Sequence, residues 1–317
     1  MSTKHTFFAP GSVANLGSGF DILGMAITKL GDKLEIECTE DVSSMVVINS
    51  IQPENLLPSD PTKNTAGIAA IETLNRVTNI TGLNYRIELN MSKNMPISSG
   101  LGSSGASAAV SAYAVNQLTG NLLNTTELIQ ISMHAESIVS GYHADNVAAS
   151  MLGGVVVIQQ YHPLRIHKIT PNISLNLAII KPEFGLDTKK ARSVIPELIP
   201  LKDHIHNSGN LASLIHALHT GDLDLLGKSM NDNIIEPRRK DLIKGYSKIK
   251  SNILDQGALS CNISGAGPSI VVLGRDAKES KTYGTIVQEL WAEIDIDASL
   301  YLVENDTIGA RKIENNS

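Results

Sequence analysis

The sequence predicts an α+β fold rather than a doubly wound parallel sheet, because its strand and helix candidates do not alternate regularly. Two helical stretches, at 103–118 and 125–139, follow one another with no strand between them. Hydrophobic residues make up 42% of the chain and aromatic residues only 4%, so the core must be aliphatic. A length of 317 residues is enough for two domains or one large one.

The first half of the chain combines short strand candidates with helices of ordinary length. Apolar residues at alternate positions predict strands, and apolar residues spaced by three or four predict helices. The helix at 125–139 begins at Thr125 and carries Glu127 in its first turn, where an acidic side chain is favourable. Strands are predicted at 5–9, 33–38, 44–50, 84–91 and 155–158, and one further helix at 64–78.

The second half is separated from the first by Tyr161-His162-Pro163, which we take as the domain boundary. The predicted domains are therefore 1–160 and 161–317. Its strands are predicted at 164–169, 175–181, 258–263, 269–273 and 297–303, and its helices at 186–193, 208–219, 221–230, 239–254 and 277–293.

Charge and composition exclude several classes of partner. Acidic residues number 32 and basic residues 26, a net charge of −6, whereas a nucleic-acid binder needs the opposite balance. No apolar run approaches the ~20 residues of a membrane span, and the N-terminus lacks the apolar segment of a signal peptide. Cys38 and Cys261 are far apart in sequence and match no metal or redox spacing. We therefore expect a cytoplasmic protein without nucleic-acid or membrane partners.

The most informative stretch is a glycine- and serine-rich loop that precedes the helix predicted at 103–118. Glycines allow close approach of a ligand to the backbone, and the free N–H groups at a helix N-terminus favour an anion. The segment therefore predicts a phosphate site, and a capped, tightly packed helix start is the alternative. The candidate residues are Pro96, Ile97, Ser98, Ser99, Gly100, Leu101, Gly102, Ser103, Ser104 and Gly105.

The two common phosphate folds do not fit this loop. Its glycines match G-x-G-x-x-G, but Pro96 intervenes after the preceding strand and the helix leads into a second helix. A dinucleotide-binding loop instead follows its strand directly and opens a βαβ unit. The Walker pattern G-x-x-x-x-G-K-[ST] is also absent from the chain.

Three further clusters carry side chains suited to a small polar ligand or a metal ion. Asn15 and Asp21 lie on a glycine-rich segment, and an ordinary turn explains that segment equally well. Glu136 lies on the helix at 125–139 and is a natural Mg²⁺ ligand if that helix faces the phosphate loop. His143, Asp145 and Asn146 share one short loop, and residues 262–269 form a second glycine-rich turn or a tight hairpin connection.

Taken together, these segments resemble the GHMP kinases, the superfamily of galactokinase, homoserine kinase and mevalonate kinase. The resemblance rests on three motifs, Ala9-Pro10-Gly11-Ser12, Gly100-Leu101-Gly102-Ser103-Ser104 and Ser264-Gly265-Ala266-Gly267, in this order. Among these kinases the homoserine kinases are most similar, because of residues 14–21 and 143–148. Mevalonate kinases carry a lysine where this chain has Ser12. The resemblance implies an N-terminal domain like ribosomal protein S5 and a C-terminal α/β sandwich.

The resemblance further implies phosphorylation of the side-chain hydroxyl of L-homoserine by ATP with Mg²⁺, a step of threonine biosynthesis, and it allows a homodimer. The nucleotide would be bound by the phosphate loop with Asn64, Ser264, Gly265 and Gly267, and the metal by Ser103 or Ser104 with Glu136. Homoserine is a zwitterion, and arginine binds carboxylate with two parallel hydrogen bonds. The implied substrate residues are Asn15, Asp21, His143, Asn146, Arg192 and Arg239, and the implied catalytic residues are Asn146, Asp145 and Glu136.

The catalytic base is the open point. Mevalonate kinases use an aspartate in this loop, and counting back from Gly153-Gly154 places Asn146, not Asp145, at its position. The resemblance therefore implies that no protein base is used and that the γ-phosphate takes the proton. Two alternatives stay open: a GHMP kinase for another small alcohol, and a catalytically silent ligand-binding protein of the same fold.

Overall fold

The computed structural model describes residues 4–55, 57–138 and 141–314 as a mixed arrangement of helices around two separate sheets. The strands are β1 (His5–Ala14), β2 (Leu23–Glu40), β3 (Met45–Gln52), β4 (Tyr85–Lys93), β5 (Val155–Tyr161), β6 (Leu164–Ile169), β7 (Leu177–Pro182), β8 (Ser260–Ile263), β9 (Ile270–Leu273), β10 (Ala298–Val303) and β11 (Arg311–Ile313). The α+β prediction is confirmed.

The helices include both of the consecutive helices expected in the first half. They are α1 (Thr65–Thr81), α2 (Ser103–Leu118), α3 (Thr125–Ser137), α4 (Asp145–Leu152), α5 (Thr188–Ser193), α6 (Leu201–Thr220), α7 (Leu223–Ser229), α8 (Glu236–Arg239), α9 (Tyr246–Asp255) and α10 (Ala277–Ala292). Residue 139 of the predicted helix lies outside the described residues. Among these helices none has the length and apolar character needed to cross a membrane.

Sheet one has seven strands, in the order β11-β1-β2-β4-β3, with β5 paired to β2 and β6 paired to β5. Only β3 and β4 pair in parallel, and α1 makes the crossover between them. β6 and β11 both come from beyond the boundary predicted at residue 161. That boundary stays a prediction, but the chain returns to sheet one at its C-terminal end.

Sheet two is a four-stranded antiparallel sheet in the order β10-β7-β9-β8. An apolar core joins it to sheet one, because Val13 and Met25 pack in the same cluster as Ile179 and Val271. Since burying apolar area stabilises by roughly 25 cal/mol per Å², this shared core holds the two sheets in one arrangement. The candidate functional residues lie on both sides of this shared core.

Several sequence predictions differ from the structure. The strand predicted at 5–9 continues through Ala14 as β1, with a register shift between Pro10 and Ser12. The predicted helix at 239–254 is interrupted: a 3-10 turn spans Lys240–Leu242, the backbone is extended at Ile243, and α9 begins at Tyr246 after Gly245 at φ 81°. Asp145 and Asn146 lie in the first turn of α4 rather than in a loop.

Candidate active site

A cleft of about 520 Å³ contains nearly every residue that the sequence predicts for the site. Its walls come from the phosphate loop, the segment at 15–21, the start of α4, helix α5 and the turn that follows β8. The predicted residues that line it are Asn15, Asp21, Asn64, Ile97, Ser98, Ser99, Gly100, Leu101, Gly102, Ser103, Ser104, Glu136, His143, Asp145, Asn146, Arg192, Arg239 and Gly265.

The phosphate loop owes its shape to two glycines in the left-handed backbone region. Gly102, at φ 64°, is the N-cap of α2, so the free N–H groups of the first helical turn face an anion site. Gly100 has φ 76°, and a Cβ there would lie 2.3 Å from the carbonyl oxygen of Ser264. Both positions therefore require glycine.

The turn after β8 supports the loop from behind. The Ser264 hydroxyl donates to the Gly100 carbonyl oxygen at 2.7 Å, and Gly267 lies against the same glycine. Of the turn residues predicted to bind nucleotide, only Gly265 reaches the cleft surface. Pro96 and Gly105 are likewise not part of the cleft lining in the described chain. Ser264 and Gly267 shape the loop from behind, and the nucleotide contacts of these residues stay predictions.

Asn64 lines the cleft, but its side chain already caps a helix. Its Oδ1 accepts from the backbone N–H of Ala66 and its Nδ2 donates to the Pro58 carbonyl oxygen, both at 3.0 Å. This arrangement holds the start of α1 against the cleft, with Lys63 beside it on the rim. The expected contact of Asn64 with a nucleotide base stays a prediction.

A buried ion pair beneath the phosphate loop was missed by the sequence reasoning. Lys93 contacts Asp32, and its Nζ also donates to the Ser103 carbonyl oxygen at 3.0 Å. The Ser107 hydroxyl donates to the same Asp32 carboxylate, and burial raises the pKa of Asp32 although Lys93 opposes this shift. The pair places a cation under the first turn of α2. The sequence signal was the alternation of β4, which places Lys93 on the same buried face as Leu89 and Met91, but the predicted strand ended at residue 91.

Glu136 lies against the phosphate loop, as a metal ligand there would. Its Oε1 accepts from the Ser104 hydroxyl at 2.8 Å, and only 4% of its surface is exposed. Gly105 makes this approach possible, since a Cβ there would lie 3.3 Å from Glu136 Oε2. No group of three or more His, Cys, Asp or Glu side chains within the described ranges has the arrangement to hold a metal ion by itself. One carboxylate, Glu136, beside the serine hydroxyls of the loop suits Mg²⁺, because this ion takes few protein carboxylates and keeps phosphate and water ligands.

Asp21 and Arg192, which were expected to bind opposite ends of a zwitterion, form an ion pair with each other. Arg192 Nη2 donates to both carboxylate oxygens of Asp21, at 2.8 and 2.9 Å, and lies 3.1 Å from His143 Nδ1. Burial, aided by the charge of Arg192, lowers the pKa of His143. The neutral imidazole therefore accepts from the guanidinium and helps to orient it.

Arg239 is held more rigidly than Arg192. Its Nη1 donates to the Gly265 carbonyl oxygen at 2.8 Å and its Nε to that of Ala191 at 3.1 Å. Burial and the charge of Arg192 lower its pKa to about 10, so it stays a cation near neutral pH. Phe20 lies between the two arginines, with its ring centre 5.1 Å from the Arg239 guanidinium and 5.4 Å from that of Arg192.

Asn15 holds two walls of the cleft together rather than presenting a free amide. Its Nδ2 donates to the Gly265 carbonyl oxygen at 3.0 Å, and its Oδ1 accepts from the backbone N–H of Asp21 at 3.3 Å.

Thr188, in the first turn of α5, also lines the cleft and was not singled out in the sequence. Its only sequence signal is Asp187 as a helix N-cap before it.

At the start of α4, Asp145 and Asn146 have different environments. Burial, with the charge of Asp21, raises the pKa of Asp145 to about 7. The Asn146 Oδ1 accepts a hydrogen bond from the Ser12 hydroxyl at 2.9 Å. Asp145 therefore has an unusually high pKa for a carboxyl group. Asn146 does not titrate, and its side-chain amide is held by the hydrogen bond from Ser12.

Comparison with known proteins agrees with this geometry. The family profile of the GHMP kinases N terminal domain matches residues 66–154, and that of the GHMP kinases C terminal domain matches residues 214–291. Homoserine kinase of Chlorobaculum tepidum is 36% identical over 98% of this chain and 99% of its own length. Homoserine kinase of Arabidopsis thaliana is 37% identical over 96% of this chain and 84% of its own length.

Solved structures show the same relationship. The crystal structure of homoserine kinase from Cytophaga hutchinsonii superposes with a TM-score of 0.89 at 36% identity, covering 98% of this chain and 97% of that one. A mevalonate kinase structure from L. major, at 16% identity and a TM-score of 0.70, shares the fold. On profile matches, identity and coverage, the chain belongs to the homoserine kinase family of the GHMP kinases.

Proposed function

We propose that this kinase transfers the γ-phosphoryl group of ATP to the side-chain hydroxyl of L-homoserine, giving O-phospho-L-homoserine and ADP. The observation that carries the proposal is that one cleft contains both the phosphate loop and the Asp21–Arg192 pair. The first suits a polyphosphate, and the second offers opposite charges for an amino acid. Relatives of similar length across bacteria, plants and archaea bear the name homoserine kinase.

On the nucleotide side, the N–H groups at the start of α2 would bind the phosphates, with the charge of Lys93 beneath them. Glu136 and the hydroxyls of Ser103 and Ser104 would hold Mg²⁺. When bound, Mg²⁺ neutralises negative charge that develops on the phosphates. Phosphoryl transfer of this kind depends mainly on positioning and electrostatics.

On the acceptor side, a zwitterion can replace the internal ion pair without leaving a charge unpaired. Its carboxylate would bind Arg192 and Arg239, and its ammonium would bind Asp21. A ligand that lacks the ammonium or the carboxylate would break the Asp21–Arg192 ion pair and leave one of these two charges without a partner. That is unfavourable in a partly buried site.

The proposal is tested by following ADP release with ATP, Mg²⁺ and a panel of alcohols. We expect release that depends on homoserine, with 4-hydroxybutyrate and 3-aminopropan-1-ol inactive because each lacks one charge. Faster turnover of another GHMP-type alcohol would move the assignment to that substrate. Nucleotide binding without turnover of any member of the panel would indicate a silent binding protein.

Asp145 is expected to be dispensable as a base. By the count back from Gly153-Gly154, Asn146 rather than Asp145 corresponds to the aspartate base of mevalonate kinases. Asp145→Asn should therefore lower kcat by less than about 10-fold. Loss of a general base would lower kcat by about 10²–10⁴-fold. Steady-state kcat of the purified variant checks this. A loss of about 10³-fold or more would show that a carboxylate base is used.

The same substitution should change the pH dependence of stability. Burial raises the pKa of Asp145 from 3.8 to about 7, so the folded state holds its proton more tightly than the unfolded state does. This contribution to stability is complete below about pH 4 and is lost as the pH rises to about 7. Asp145→Asn should therefore raise Tm at about pH 8 and change it little at about pH 4. Asp241→Asn, at an exposed carboxylate, is the control, and an equal Tm change at both pH values would contradict the expectation.

A further inference from the structure

Ser12 occupies a position that the proposed mechanism does not use. Its side chain is completely buried behind the phosphate loop. Its backbone N–H donates to the Leu101 carbonyl oxygen at 3.0 Å, so β1 is tied to the loop through the main chain of this residue. A Cβ at Gly102 would lie 2.2 Å from the Ser12 hydroxyl, so the serine lies directly behind the glycine that caps α2.

The hydroxyl of Ser12 contacts a residue of the cleft 134 positions away in sequence. It donates to Oδ1 of Asn146 at 2.9 Å. The other end of that amide faces a carboxylate, because Asn146 Nδ2 lies 3.5 Å from Asp145 Oδ1. With the amide reversed, two oxygens would face each other at this distance, which is unfavourable. The Asp145 carboxylate therefore favours this amide orientation, and the Ser12 hydroxyl, which can donate or accept, holds the amide in place by donating to its oxygen.

This orientation decides which chemistry Asn146 can perform. Its acceptor oxygen is occupied by Ser12, so the Nδ2 hydrogens are the groups left for a ligand in the cleft. A donor at this position can orient a hydroxyl oxygen for attack and can stabilise charge on the transferring phosphoryl group. It cannot accept the proton of that hydroxyl.

We propose that Ser12 is a positioning residue that holds the Asn146 amide with its N–H donors available to the reacting oxygens. The proposal rests on the proposed homoserine phosphorylation for its effect on rate. Without the Ser12 hydroxyl the amide can turn over and present an acceptor, and the buried Oδ1 loses its donor. The proposed contacts of the phosphates with the loop, and of the homoserine carboxylate and ammonium with Arg192, Arg239 and Asp21, are kept, since Ser12 is absent from the described cleft lining and its backbone bond to Leu101 is retained.

The test is a double-mutant cycle on kcat with Ser12→Ala, Asn146→Ala and the double variant. We expect Ser12→Ala to lower kcat about 10-fold, with the KM values for ATP and homoserine within about 3-fold of the parent. In the Asn146→Ala background the same change should have no further effect on kcat, because the group on which Ser12 acts is absent. Ser12→Thr, which keeps the hydroxyl, should restore kcat.

Ser111→Ala is the matched control. Ser111 is also completely buried, and its hydroxyl donates to the Ala66 carbonyl oxygen at 2.7 Å, in contact with neither Ser12 nor Asn146. We expect it to lose stability without loss of kcat. If the kcat losses of Ser12→Ala and Asn146→Ala multiply in the double variant, or if Ser12→Ala leaves kcat unchanged, the proposal is overturned.

A measurement without turnover separates this inference from the proposed function. In protein with isotope-labelled asparagine, the side-chain NH₂ signal of Asn146 is identified by its loss in Asn146→Ala. We expect Ser12→Ala to shift or broaden that signal and Ser111→Ala to leave it in place. An unmoved signal in Ser12→Ala overturns the positioning role, whether or not homoserine is the substrate.

Discussion

Glu136→Gln should lower kcat by about 100-fold or more while the protein keeps its fold, because this carboxylate is proposed to hold the Mg²⁺ that neutralises charge on the phosphates. The carboxylate is 4% exposed and accepts from the Ser104 hydroxyl at 2.8 Å at the start of α2. Glutamine keeps the shape and one acceptor oxygen but not the charge. If Glu136 is the protein carboxylate on Mg²⁺, the Mg²⁺ concentration needed for half-maximal activity should rise in parallel.

The effect on the metal is checked without catalysis by measuring ADP binding calorimetrically with and without Mg²⁺. Parent protein should bind ADP more tightly with Mg²⁺, and Glu136→Gln should lose most of that difference. Glu289→Gln, at an exposed position of α10, is the control for loss of one negative charge. A Glu136→Gln protein with the parent Mg²⁺ dependence would show that this carboxylate does not hold the metal.

Arg192→Ala should raise the KM for homoserine by about 100-fold with a smaller change in kcat, because truncating one partner of a hydrogen-bonded charge pair costs about 2–5 kcal/mol. Arg192 donates to Asp21 in the ligand-free site and is proposed to donate to the substrate carboxylate. In the variant, Arg239 is the one arginine left of the two proposed to bind the substrate carboxylate. The KM for ATP should stay close to the parent value.

Two further variants test the geometry of this site. Arg192→Lys keeps the charge but not the planar pair of donors, so it should recover only part of the lost affinity. Lys190→Ala, on the exposed side of the same helix, should leave the homoserine KM unchanged. A kcat loss in Arg192→Ala with an unchanged homoserine KM would contradict the assignment to the substrate carboxylate.

Local patterns were enough to predict most of the elements and the phosphate loop. Helix α2 begins and ends where the sequence predicts, at Ser103 and Leu118, because a glycine cap precedes an alanine-rich helix. The β1 extension was missed because Pro10 and Gly11 are typical of a loop, whereas the hairpin with β2 accommodates them at a register shift. Strand β11 is three residues long and is stabilised by pairing with β1, some 300 positions earlier, which local periodicity does not report.

The sequence by itself determined which residue types are present for the chemistry: the glycines and serines of the loop, Glu136, the two arginines and the acidic residues. Only the tertiary structure decided how they are paired. Asp21 with Arg192, Asp32 with Lys93, and Ser12 with Asn146 are each separated by 60 or more positions. Such pairs form because the shared core brings two sheets together and buries polar groups, which must then find partners. Residue type follows from local sequence, whereas pairing follows from burial.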